Sequence, residues 1–417
     1  MKKNTKLNQW LWKWHFIAGI ISLPFILCLS ITGGIYLFKT TYEKPIYKEI
    51  KTILPSNKAI SYQQQWELAK ESALKKPTAV IVPSHKSQAT EFVSGRFGAA
   101  TSIFIDPYKG EVSGEIVPMN SLMYKIRKLH GELLLGTSGT LIIELIASWM
   151  VVLLITGIFI WWPARGWQLK GFFVPRLTNG KQVFYRDLHA ITGFWIAILL
   201  LITLAGGFPW TNVFGSNFKW IQQVTNTGFP KDWYGKGLLS TKDTTSLTLD
   251  QMIDIARDLD LLGTTKITFP QHKDAVYTIS NSYPKDLNQQ VSVHFDQYSG
   301  KMVQKKEWQD VGLLMRSRMW VMAFHQGQFG NWNWVLMLCT TLFLSTMSLA
   351  AILSYTSRKK KGSWSIPNVP KSFTVSYGVA GLILLLGIVF PLFGASVILI
   401  IIFTFCTKKE KTKLTTS

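Results

Sequence analysis

The chain has 417 residues, 47% hydrophobic and 13% aromatic, with a mean hydropathy above zero. That is too apolar for a soluble protein with so many separate apolar runs. A net charge of +22 would suit nucleic acid, but the Lys and Arg residues flank the apolar runs as cytoplasmic loops require, so no nucleic-acid partner is expected. Cys28, Cys339 and Cys406 lie inside apolar runs without thiol–metal spacing, which argues against a disulfide framework or a zinc site.

Residues 1–39 hold the first span, since Phe16 to Phe38 is free of charge and long enough to cross a core of about 30 Å as a helix. Lys2, Lys3 and Lys6 resemble the positive region of a signal peptide. The run is too long for one, and no Ala-x-Ala site precedes Lys39, so a retained span is expected. Residues 40–120 form a polar α+β module, helix-like over Ser61 to Lys75 and strand-like at Ala79-Val80-Ile81-Val82 and Ser102-Ile103-Phe104-Ile105. Asp106-Pro107-Tyr108-Lys109-Gly110 is turn chemistry.

Residues 121–163 carry a basic amphipathic stretch (Lys125, Arg127, Lys128) ending at His130-Gly131, then a second span, Leu141 to Trp162, closed by Pro163. The loop 164–188 holds Arg165, Lys170, Arg176, Lys181 and Arg186, and the third span covers 189–209. A second soluble module fills 210–310. Residues 311–355 bring an amphipathic segment with Arg316 and Arg318, His325-Gln326-Gly327, and a fourth span from Trp334 to Leu353. After the loop 356–372, the apolar run 373–406 breaks at Pro391 and Gly394, and the tail 407–417 follows. Basic clusters on both sides of that run (Lys359 to Lys361; Lys408, Lys409 and Lys411) predict a hairpin of two short helices. The expectation is a polytopic α-helical membrane protein of six spans, with both termini inside and both soluble modules outside.

Two spans and one module make a unit that occurs twice. Ile81-Val82-Pro83-Ser84-His85-Lys86 matches Ile267-Thr268-Phe269-Pro270-Gln271-His272-Lys273, and the Asp106 turn matches Asp296-Gln297-Tyr298-Ser299-Gly300. Each unit starts and returns inside, so the repeat is parallel, with a pseudo-two-fold axis along the membrane normal. Lys13-Trp14-His15-Phe16-Ile17-Ala18-Gly19 is echoed by Arg186-Asp187-Leu188-His189-Ala190-Ile191-Thr192-Gly193, and both runs end in a double glycine, Gly33-Gly34 and Gly206-Gly207.

That symmetry pairs His15 with His189 at the inner end, and His130 with His325 at the outer end. A single interfacial histidine is ordinarily a hydrogen-bonding residue, but repeat-related pairs at both faces are candidate axial ligands of haem b, two sites in all. Gly19, Gly193, Gly131 and Gly327 would leave room for the macrocycles. Lys13, Arg186, Arg127, Lys128, Arg316 and Arg318 are candidate propionate partners, and Met123, Met319 and Met322 possible replacement ligands. No Cys-x-x-Cys-His supports haem c. His85 and His272 read as loop residues and His294 as incidental. Glu144, alone within the second span, is a candidate proton or haem-tuning site unless it has a partner. The Trp groups (Trp10, Trp12, Trp14; Trp161, Trp162, Trp167; Trp320, Trp332, Trp334) read as interfacial belts in contact with membrane lipid.

With its doubled span–module–span plan, His-x-x-x-Gly elements and Asp-x-Tyr-x-Gly turns, nearly the whole chain resembles the PepSY-associated transmembrane family. The resemblance implies two PepSY-like periplasmic modules and a bacterial inner-membrane location. It also implies the role of a haem-dependent ferric-siderophore oxidoreductase: electrons would pass from the cytoplasm through an inner and an outer haem to a ferric siderophore, releasing iron(II), which hard oxygen ligands hold more weakly. The chain has no Gly-rich nucleotide loop and no fused flavin domain, so a separate cytoplasmic donor, a flavoprotein or similar, is expected. Two other classes stay open: a non-catalytic PepSY-type binding or regulatory protein, and a transporter built on parallel repeats.

Overall fold

A computed structural model describes residues 5–95, 100–162, 169–241, 243, 245–359, 364, 366–369 and 373–415, with side chains to 407 in the last helix. Lys2, Lys3, Pro163, Arg165, Trp167, Lys360 and Lys361, and the side chains of Lys408, Lys409 and Lys411, lie outside the described residues.

Among the described residues, four helices are long and apolar enough to cross a membrane: α1 (Thr5–Leu37), α6 (Gly136–Trp161), α7 (Lys181–Gly207) and α11 (Asn331–Arg358). At 33 residues, α1 reaches about 50 Å. In lipid the hydrophobic effect does not draw such helices together, so close packing must. The bundle accordingly buries small and hydroxyl side chains (Ala18, Ser22, Ser30, Ser148, Ala197, Ser348, Ala350). Ser30 bonds to Ser345 across α1 and α11 at 2.9 Å. Between them lies an aliphatic layer of Ile26, Ile146, Met150, Leu154, Ile196, Leu200 and Leu344.

After α1 the chain runs through two short helices, α2 (Lys39–Ile46) and α3 (Lys48–Lys51), into the first module: α4 (Tyr62–Ser72), β1 (Ala79–Ile81), β2 (Thr90–Ser94), β3 (Thr101–Asp106) and β4 (Glu111–Ile116). Helix α5 (Leu122–Glu132) then precedes α6. In the second unit α7 leads to α8 (Val213–Val224), α9 (Leu249–Asp258), β5 (Thr264–Thr268), β6 (Val276–Ser282), β7 (Val291–Asp296), β8 (Met302–Glu307) and α10 (Leu313–His325), ahead of α11.

Instead of two separate modules, the strands form one antiparallel sheet of eight, in the order β4-β3-β2-β1-β5-β6-β7-β8. Its centre is the β1–β5 pair, with Val80 opposite Ile267. Each module alone would leave β1 or β5 as a raw edge, and pairing the two satisfies both. Helices α4 and α9 share one face of this sheet, where Met252 and Ile253 of α9 pack over Val80, Phe92, Ile105, Ile267 and Ile279. They also cap each other: the Asp250 carboxylate accepts the Tyr62 and Gln63 amides (2.8 and 3.0 Å), and Gln63 Oε1 accepts the Leu249 amide (3.1 Å).

The Asp-x-Tyr-x-Gly elements prove to be turn hardware. Asp106 Oδ1 accepts the amides of Tyr108 and Lys109, and Asp296 Oδ1 those of Tyr298 and Ser299. The tyrosine hydroxyls donate to the carbonyls of Lys86 and Lys273 in the neighbouring hairpin. Gly110 and Gly300 sit at φ +68° and +67°, left-handed positions that favour glycine. Burial pushes the Asp296 carboxyl up, but the bonds it accepts from Ser299, Thr241 and Tyr298 outweigh that and hold it well below the usual range.

The C-terminal run is a hairpin of α12 (Tyr377–Val389) and α13 (Pro391–Thr415). Their backbones touch at Gly387 and Gly394, and a Cβ added at Gly394 would lie 2.8 Å from the Gly387 carbonyl oxygen. Phe390 at the turn packs on Phe208 and Phe214, at the module end of the bundle. Trp149 ties α13 to α6 through Phe393 and Ser396. The hairpin forms as expected, but its apolar helices are shorter than the four long spans.

Candidate functional site

The four paired histidines come together as the repeat predicts. The His15 and His189 rings are 6.4 Å apart between centroids, at 72°, near one end of the bundle. At the module end His130 and His325 are 6.2 Å apart at 73°. An imidazole nitrogen lies about 2.0–2.1 Å from a first-row metal ion, and ring radius adds about 1 Å on each side. Two rings on opposite sides of one metal ion therefore have centroids roughly 6 Å apart.

Hydrogen bonds set the tautomers. His189 Nδ1 donates to the Met347 carbonyl (3.0 Å) and His325 Nδ1 to the Thr203 carbonyl (2.7 Å). His15 Nδ1 meets Thr156 Oγ1 at 2.9 Å, and His130 Nδ1 meets Thr32 Oγ1 at 3.1 Å. Those hydroxyls spend their own protons on the carbonyls of Val152 and Cys28, so they accept from the rings. All four histidines thus carry the proton on Nδ1 and keep the Nε2 lone pair, the tautomer in which an imidazole can bind a metal through Nε2. Each ring is anchored within its own unit and faces the other.

Glycines permit this approach, but three of the four expected ones do not supply it. Gly131 has open space beside it, Gly19 comes no closer than 4.0 Å to Leu153, and Gly327 is a left-handed residue after α10 that packs on Trp334. The tight positions are Gly33 and Gly157, where a Cβ would lie 3.2 Å from His130 and His15 Cε1, and Gly206, where it would lie 2.7 Å from His325 Cβ. Gly193 brings α7 against Met347, with an added Cβ 2.9 Å from its sulfur. Beside the outer pair a cleft of about 480 Å³ opens in the α1–α11 seam between the units, lined by Gly34, Met123, Leu338 and Thr341.

The sites are far apart. His15 and Thr32 are separated by 17 residues of α1, which is about 25 Å. Among the described residues no group of three or more His, Cys, Asp or Glu could hold a metal ion. A metal ion held between two imidazoles alone would need further ligands from elsewhere, such as those a porphyrin carries.

The candidate cations divide. Arg127 lies one turn from His130 and rests on the Tyr124 ring (4.9 Å), while Arg318 lies two turns from His325 on the same face and rests on Trp210 (4.4 Å). Neither pairs with a carboxylate among the described residues. Lys128 is committed to Glu132 at 2.6 Å. Lys13 is two residues before His15 and Arg316 nine before His325, which turns each about 160–180° away from its histidine. Arg186 shares its guanidinium with Asp187 (2.8 Å) and stacks near Trp161. Met319 packs with Trp233 and Trp308, away from the outer pair.

Asp187, fully buried, also receives Arg176 through Nε and Nη2 at 2.7 and 2.8 Å. Sequence reading passed over this residue because its partner is eleven positions upstream in a loop. Glu144 has its partner: its carboxylate caps α8, accepting the Val213 and Phe214 amides at 2.9 and 2.8 Å. Glu144→Ala should lower stability by about 1–2 kcal/mol, a cap's worth, measured by thermal unfolding in detergent. A spectral change at the histidines would contradict that assignment. His85 is exposed and bonded to Ser87, while His294 is buried and bonded to Thr278.

The family model described as PepSY-associated TM region matches residues 12–358. No curated protein matches the chain.

Proposed function

The chain belongs to the PepSY-associated TM family, and from that premise we propose that it is a di-haem reductase of the bacterial inner membrane. In this reading electrons pass from a cytoplasmic donor to ferric siderophore at the periplasmic face, and iron(II) is released. The observation that carries it is the matched pair of imidazole couples, 6.4 and 6.2 Å between centroids, each with Nε2 free.

Haem b, when bound, supplies an iron that accepts and gives up one electron without rearranging its ligands. The protein's part is positioning. The repeat holds each histidine pair across the seam, the hydrogen-bonded Nδ1–H groups prevent ring rotation, and apolar helices exclude water. Arg127 and Arg318 are free to meet carboxylates at the outer site, and Arg186 at the inner one. The cations in the loops 164–188 and 356–372 support a cytoplasmic position for the His15–His189 end. The eight-stranded sheet then stands over the outer couple, where substrate arrives.

The test is a visible spectrum with a haem assay on the purified protein. Two haems b per chain, with sharp low-spin bands on reduction, are expected; a colourless protein sinks the proposal. Thr156→Val and Thr32→Val refine it. Each removes the acceptor for one Nδ1–H, makes that imidazole less basic, and should raise the potential of one haem while weakening its retention about 10–100-fold. Redox titration checks this, and equal shifts at both sites would count against it.

A further inference from the structure

We propose that the face at the His15–His189 end docks a soluble one-electron carrier with an acidic surface; this rests on the redox reading above. The sequence places eighteen Lys and Arg residues on this side, within 2–13, 165–186, 358–371 and 408–413, against two acids, Asp187 and Glu410. On the module side 27 cations are interleaved with 21 acids, Glu144 of the second span included. Membrane topology accounts for the cations, but acidic residues contribute little to topology. Their near-absence from one face is therefore a separate fact.

The structure sharpens it. Asp187 is fully buried and spent on Arg176 and Arg186. No exposed carboxylate remains among the described residues of this face. The same clamp fixes the loop before α7: Arg176 covers Gly171, and Phe172 is buried against Phe194 and Trp195. Lys170 and Lys181 are left in solvent on that fixed loop and the first turn of α7. Lys181 is eight residues from His189, about 12 Å along the helix. A rigid cationic surface this close to the inner couple steers an acidic partner and repels a basic one. In each encounter the reduced carrier would give up one electron and the haem held by the inner couple would take it; no bond or proton moves.

The test uses the haem-loaded protein in discs of zwitterionic lipid and a reduced acidic flavodoxin as probe, followed by stopped-flow absorbance. The second-order rate should fall about tenfold between about 20 and 200 mM salt. Lys170→Glu with Lys181→Glu should slow it about tenfold, leaving spectra and reduction by a small uncharged reductant unchanged. A salt-independent rate, or a basic carrier that reacts as fast, overturns the proposal. So does a charge effect that appears only in binding to anionic lipid. Failure of the haem reading itself is seen earlier, as missing chromophore before any carrier is added.

Discussion

Alanine at His130 or at His325 is expected to yield a protein that holds one haem in place of two, and the double variant should lose no more than either single one. In the proposed reading each couple would hold one iron from two units, so removing either imidazole would leave a single protein ligand for it. The partner ring's Nδ1–H bond survives, to Thr203 or to Thr32, so exogenous imidazole should restore part of the lost spectrum. His15→Ala and His189→Ala should behave in the same way at the inner site. Combining one variant from each couple should give a colourless protein. The two sites are separated by about 25 Å of helix, which makes their losses additive. A haem assay and reduced-minus-oxidised spectra decide it. Two haems retained in any single variant, or loss of the inner haem on changing His130, would refute the pairing.

How much of this could be read from the residues varies with how local the signal is. The spans and histidine pairs were legible because a duplication writes them twice, in fixed registers relative to His-x-x-x-Gly. The Asp-x-Tyr-x-Gly turns were legible too, although their physical role is to lock one hairpin to the next. The fused sheet was hidden, because nothing within β1 or β5 names the other as its neighbour. The supports of the imidazoles were hidden for a related reason. Thr156 is 141 residues from His15, and two of the four acceptors are backbone carbonyls, which carry no residue signature. Lys13 and Arg316 were misplaced for a simpler cause: nearness in sequence was taken for nearness in space, while helical rotation turns both away from their histidines. Glu144 drew attention as a lone acid in an apolar run, and its role depended on where α8 begins.

Asp187→Ala is expected to destabilise the protein by roughly 3 kcal/mol and to disturb the inner couple alone. Removing one partner of a buried ion pair typically costs about 3–5 kcal/mol because the other charge is left without compensation. Here the two stranded guanidiniums keep 35% and 48% side-chain exposure, so water recovers part of that cost. The Arg176 amide loses an acceptor as well, at 3.2 Å. Asn is expected to rescue little, since its NH₂ group would face guanidinium donors where an oxygen now accepts. With the clamp gone, Arg176 no longer ties the loop to α7, which is then held less firmly at position 187, two residues before His189. Thermal unfolding in detergent reads the stability, limited proteolysis reads the loop, and site-resolved spectra read the haems. Lower stability with a weakened inner haem and an unchanged outer one fits the geometry. A variant as stable as the parent would mean that the two arginines hold the loop without their carboxylate, and Asp187 would lose its assigned role.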